Sequence, residues 1–131
     1  GSNYQQFADH VGNGAVEEAV KDFEISWRSG SVTVASAPAG QEQITISVAD
    51  KKGNPLPEDN SVYWGVKDGK LAILDEEPAF FRLIFGVRPR KYLTVLIPEG
   101  KGDFDTVSMD TVAANVSVGG LTAKDLSLQT F

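Results

Sequence analysis

From Phe23 onward, large apolar residues fall at every second position. Phe23, Ile25 and Trp27 alternate with Glu24, Ser26 and Arg28, which is the period of a half-buried strand. Ser29-Gly30-Ser31 then supplies turn chemistry before Val32 and Val34 resume the alternation, so residues 23–35 predict a hairpin or a tight corner. Ile44, Ile46 and Val48 predict a further strand, and Leu93, Val95 and Ile97 another, stopped by Pro98 and Gly100. Residues 50–60 carry two prolines and a run of charged and amide side chains, the composition of a surface loop. Residues 62–67 and 71–74 flank Asp68-Gly69, a dipeptide suited to a two-residue hairpin turn.

Residues 3–21 follow a different rhythm. Phe7, Val11, Ala15 and Ala19 recur every four residues, with Asn13 placed to cap and Glu17 and Glu18 near a helix start. Gly12 and Gly14 interrupt the pattern, at about 1 kcal/mol each inside a helix. The spacing predicts a short helix over 14–20 or a loose arm. Residues 1–21 therefore form an N-terminal arm, and residues 22–131 the domain proper.

The last third holds an internal repeat. Val107-Ser108-Met109-Asp110-Thr111-Val112 returns 19 residues later as Leu126-Ser127-Leu128-Gln129-Thr130-Phe131, with Val116-Ser117-Val118 and Gly119-Gly120 between the copies. A unit of that size holding two short strands fits one coil of a right-handed β-solenoid or β-roll. Strands spaced every 8–12 residues also fit a β-sandwich. The expectation is an all-β chain, hairpins leading into a short solenoid or roll, with the sandwich as alternative. A terminal coil would leave a strand edge unpaired, so the chain is expected to come from a longer array or to form a homo-oligomer through that edge.

The succession Phe23-Glu24-Ile25-Ser26-Trp27-x-Ser29-Gly30-Ser31-Val32-Thr33-Val34, Asp68-Gly69-Lys70-Leu71-x-Ile73 and Lys91-Tyr92-Leu93-Thr94-Val95-Leu96-Ile97-Pro98, followed by the Ala114-Asn115-Val116-Ser117-Val118 repeat, resembles a bacterial family of putative adhesins of unknown function (DUF4097-like). The resemblance spans residues 20–131. It implies an all-β solenoid-like stack, no known catalytic activity, and a cell-surface or envelope setting in bacteria. Members carry an upstream membrane helix and further coils. Gly1-Ser2 resembles a cloning scar, so a signal or anchor is expected to have been removed.

Composition narrows the chemistry. The chain has 131 residues, 12 Lys plus Arg against 18 Asp plus Glu, and a net charge of −6, which argues against a nucleic-acid partner. Cysteine is absent and His10 is the single histidine, so thiol chemistry is excluded and a histidine-based triad lacks its partners. The acidic clusters at Asp103 and Asp105, residues 75–77 and residues 58–59 sit in turn-like contexts, where carboxylates are solvated or bond nearby amides. Asp50-Lys51-Lys52-Gly53-Asn54 lacks the alternating acids of a calcium loop, and Gly100-Lys101-Gly102 lacks phosphate-loop spacing. No metal or cofactor is expected.

Two features remain as binding candidates. Phe80-Phe81-Arg82-Leu83-Ile84-Phe85, followed by Arg88, Arg90 and Lys91, cannot place all its apolar side chains on one face of a strand. It reads as a cap on the stack or as a contact surface for a protein or an anionic envelope. Tyr63 and Trp64 are adjacent, so a strand would turn one ring outward, toward a glycan. The candidate residues are Tyr63, Trp64, Phe80, Phe81, Arg88, Arg90 and Lys91. The function expected is a non-catalytic interaction module at the cell surface or envelope, binding a protein, glycan or envelope component. A ligand-sensing domain in envelope-stress signalling is the alternative, and a carboxylate-dependent glycan hydrolase is a distant third.

Overall fold

A computed structural model describes residues 8–57, 61–75 and 90–130. These residues form nine strands and no helix: β1 (His10–Val11), β2 (Gly14–Val16), β3 (Asp22–Ser36), β4 (Ile44–Ala49), β5 (Tyr63–Lys67), β6 (Lys70–Leu74), β7 (Lys91–Ile97), β8 (Asp103–Val118) and β9 (Thr122–Thr130). All nine belong to one sheet, which curls into an open half-barrel. The all-β expectation holds, and the pairing is continuous through one sheet instead of being split between two separate ones.

β3 organises the rest because it pairs along both of its edges. On one edge β8 runs parallel to nearly its whole length, from Asp22 opposite Thr106 to Val34 opposite Val118. On the other edge, Asp22–Ser26 pair with β6 and Gly30–Ser36 pair with β7, both in parallel. Antiparallel partners extend each half outward, β6 to β5 to β1 and β7 to β4 to β2. The sheet therefore has two arms, and β3 and β8 pass through both.

The corner between the arms is written in the burial pattern. In β3 the buried positions are Phe23, Ile25 and Trp27, then Val32 and Val34, so the inward parity changes from odd to even. β8 does the same, from Val107, Met109 and Thr111 to the partly buried Ala114 and Val118. A regular strand cannot change parity without a local break. Here the break falls at residue 28 of β3 and 112 of β8, which drop out of the ladder together. Residues 23–35 are therefore one bent strand, the corner and not the hairpin.

Gly30 makes the bend possible. Its φ is +94°, and a Cβ there would lie 2.1 Å from the Lys91 carbonyl oxygen. The side chains inside the two arms meet in one core, with Phe23, Ile25, Trp27, Val32, Leu71, Ile73, Leu93 and Val95 no more than 1% exposed. Burial of each large side chain contributes roughly 1.5–3 kcal/mol.

The helix expected over 14–20 does not form. Gly12 has a φ of +90° and turns the chain between two short strands, and Val11, Ala15 and Ala19 are all exposed, so the four-residue spacing marks no buried face. Val16 is 2% exposed and pairs opposite Ile44. Residues 10–16 thus join β5 of the first arm to β4 of the second and close that end of the sheet. The β5–β6 hairpin forms as expected, with Asp68 and Gly69 both at positive φ, the conformation that its two-residue turn requires.

The corner yields a stability test. Gly30→Ala should lower the unfolding free energy by about 2 kcal/mol or more, because left-handed strain adds to a backbone clash that no rotamer relieves. Urea unfolding of the two chains measures the difference. A change within experimental error would show that the corner can be built without glycine.

Candidate functional site

Three places gather chemically capable residues: the polar corner, the closed end and the open end. The corner is buried and polar. Lys91 is 9% exposed, and its ammonium donates to the Ser61 carbonyl at 2.8 Å and to the Asp75 carbonyl. The Trp27 indole N–H donates to the Lys91 carbonyl at 3.0 Å. The Arg28 backbone N–H donates to a carboxylate oxygen of Asp75 at 2.6 Å. Burial raises the Asp75 pKa above 3.8, and the Arg28 N–H and the positive charges of Lys91 and Arg28 oppose that rise. Asp75 and Arg90, which flank residues 76–89 in sequence, both border this corner.

These contacts give Lys91 a structural task. A buried ammonium is tolerated only when its donors find acceptors, and here it ties the strand ends of three segments together. Arg90 is exposed beside it. Phe80, Phe81 and Arg88 lie outside the described residues.

At the closed end, the expectation of an outward ring is overturned. Tyr63 is 8% and Trp64 4% exposed. Trp64 is covered because β1 and the turn after it fold over the indole. His10 stacks on it with centroids 4.1 Å apart and planes 12° from parallel. The Trp64 indole N–H donates to the Gly12 carbonyl at 2.9 Å, and a Cβ on Gly14 would meet the indole ring at 2.7 Å. Asn13 accepts the Val48 N–H at 2.9 Å on the other arm. The ring is a fastener for the N-terminal segment, leaving no flat platform for a sugar.

The opposite end is built differently. β9 pairs with β8 in parallel, and its register sets Val107 opposite Leu126 and Met109 opposite Leu128. The 19-residue repeat is therefore the register of this ladder. Val107 and Met109 are each 1% exposed, whereas Leu126 is 53% and Leu128 54% exposed. The described part of β9 reaches Thr130, opposite Thr111, and among the described residues nothing pairs with the outer edge of β8 beyond that point. Val112 and Val116 on that stretch are 51% and 39% exposed. The open end thus offers two strand edges, each with apolar side chains continuing the core.

Beside it, residues 36–41, 97–100, 102–103 and 120–122 line a groove of about 810 Å³. Its walls are mainly turns and backbone. Asp103 accepts the Thr122 hydroxyl at 2.6 Å, and Asp105 pairs with Lys124 at 3.4 Å, so these acids serve local structure. Asp50 accepts backbone N–H groups of Lys52 and Asn54, and the Asn54 bond leads in holding its pKa below the usual value. Among the described residues no group of three or more His, Asp or Glu side chains is placed to hold a metal ion, and no helix is long and apolar enough to cross a membrane.

No family model matches this chain. No curated protein matches it either. Among solved structures, one similar chain is a putative adhesin from Bacteroides fragilis, with 12% sequence identity and a TM-score of 0.46. The match covers 94% of this chain and 59% of that one, so the present chain spans less than two thirds of that protein.

The raised pKa of Asp75 sets a pH dependence. A carboxyl favoured in its protonated form by folding contributes stability below the unfolded value of 3.8, and that contribution disappears as pH rises through the folded value. Asp75→Asn removes the titration while keeping an oxygen for the Arg28 N–H. Relative to this variant, the native chain should therefore lose stability as pH rises from about 3 toward 7. Urea unfolding across that range reads the difference, and a constant offset would contradict the assignment.

Proposed function

We propose that the chain is a non-catalytic interaction module of the bacterial cell surface or envelope, and that it binds through the open end of its sheet. The observation that carries this reading is the outer edge of β8 at residues 112–118, which has no strand partner among the described residues and on which Val112 and Val116 are exposed. An edge of this kind accepts an extended segment: main-chain hydrogen bonds supply affinity and alternate side chains supply selectivity. Soluble proteins ordinarily blunt such edges with charge, proline or a covering segment, and residues 112–118 contain no charged residue and no proline.

The absence of catalysis is part of the same proposal. Of the acidic clusters, Asp103 and Asp105 are engaged in local bonds with Thr122 and Lys124, and the groove beside them is lined mostly by backbone; residues 58–59 and 76–77 lie outside the described residues. We read β8 and β9 as successive coils of a short β-solenoid, right-handed by the general preference of parallel crossovers. The partner is an extended segment of an envelope protein whose alternate apolar side chains rest on Val116 and its neighbours.

Binding of the purified chain to isolated bacterial envelope fractions tests this reading. Val116→Asp should weaken retention by at least roughly tenfold, as for a substituted hot-spot residue, with the circular dichroism spectrum unchanged. Retention that is indifferent to the substitution would sink the proposal, and so would turnover of glycan fragments by the native chain.

A further inference from the structure

The segment Asp125-Leu126-Ser127-Leu128-Gln129 reads almost the same in both directions. Leucines flank a central serine, and an acceptor at one end answers an amide donor at the other. All of it lies on β9, whose one ladder among the described residues is with β8. We infer that β9 pairs antiparallel with β9 of a second copy about a two-fold axis at Ser127, forming a homodimer with one sheet running through both chains.

The pattern selects this register. Leu126 and Leu128 align with the buried Val107 and Met109, so they belong to the inward face, and Ser127 and Gln129 align with Ser108 and Asp110 on the outward face. A two-fold axis at Ser127 sets Leu126 against the partner's Leu128 and Leu128 against the partner's Leu126. Outward, it sets Asp125 against the partner's Gln129, an acceptor facing a donor with no like charges opposed. An axis at Leu126 would instead oppose Leu128 to the partner's Lys124. An axis at Leu128 would oppose Leu126 to the partner's Thr130. An axis between residues would oppose inward to outward side chains, which a continuous sheet forbids.

The edge is also undefended over the length required. The ladder skips Asp105 and Lys124 at the start of β9, and from Asp125 to Thr130 there is neither lysine nor proline, two of the usual guards against edge pairing. Self-complementarity under a two-fold axis is what an isologous interface needs. One strand edge buries less than a standard interface of about 1,200–2,000 Å², so association is reversible, in the micromolar range or weaker. The dimer leaves residues 112–118 of each copy uncovered and places two such edges on one particle, which raises avidity for a repetitive partner.

Sedimentation velocity over a concentration series, on the full chain, tests the inference. The native chain should shift reversibly from monomer to dimer. Leu128→Lys should weaken dimerisation by at least roughly tenfold, with circular dichroism unchanged because Leu128 is already half exposed. The double variant L126E/L128K should recover dimerisation, since the Ser127 axis brings each introduced carboxylate against an introduced ammonium. A native chain that stays monomeric overturns the inference, as does a single variant that dimerises normally or a folded double variant that stays monomeric. Envelope binding lost on Val116→Asp but retained on Leu128→Lys would separate the β8 reading from this one.

Discussion

Everything in this sheet depends on how β3 turns at residues 28–30. A strand that stayed straight would present one face to one partner set. By changing its inward parity beside Gly30, β3 sends Phe23, Ile25 and Trp27 into the core from one arm and Val32 and Val34 from the other. β8 copies the break in register, and β6 and β7 meet the two halves separately. The close approach of Gly30 to the Lys91 carbonyl places β7 against that bend. The Trp27 indole bonds to the same carbonyl, so an apolar ring and a main-chain oxygen hold the corner from both sides.

A buried charge at such a corner has a physical logic. Burying an ammonium and a carboxylate contributes little net stability, but removing either partner is costly. Lys91 reaches carbonyls on either side of the β5–β6 hairpin, and Asp75 fixes the Arg28 backbone. These bonds can be satisfied in one arrangement of the strand ends, so they select the register in which the arms meet.

Much of the architecture was legible in the chain because a sheet records itself locally. The two-residue alternation located β3, β4 and β7, Asp68-Gly69 located the hairpin, and the 19-residue repeat turned out to be the β8–β9 register. The jump from Trp27 to Val32 also carried the corner, since an odd step between inward residues cannot be accommodated in a regular strand. Ser29-Gly30-Ser31 suits a hairpin turn equally well, and the choice required the long-range partners. The N-terminal segment misled for a related reason. Two strands separated by a glycine turn can place apolar residues four apart, and helical period then mimics an arm crossing from one half of a sheet to the other. Tyr63 and Trp64 misled because alternation assumes one solvated face, whereas Trp64 is roofed by a segment about 50 residues earlier.

The two ends of the sheet show what that roof accomplishes. At the closed end, residues 10–16 pair with β5 and β4 and bury Trp64 and Val16. At the open end the same inward positions continue on β8 and β9, and the leucines that align with Val107 and Met109 remain half in water. A sheet extended by identical steps has no internal reason to stop. Each new strand buries the side chains of the one before and exposes its own. Apolar exposure on β9 and the second half of β8 thus follows from parallel pairing, in which the last described strand has its inward side chains covered from one side only.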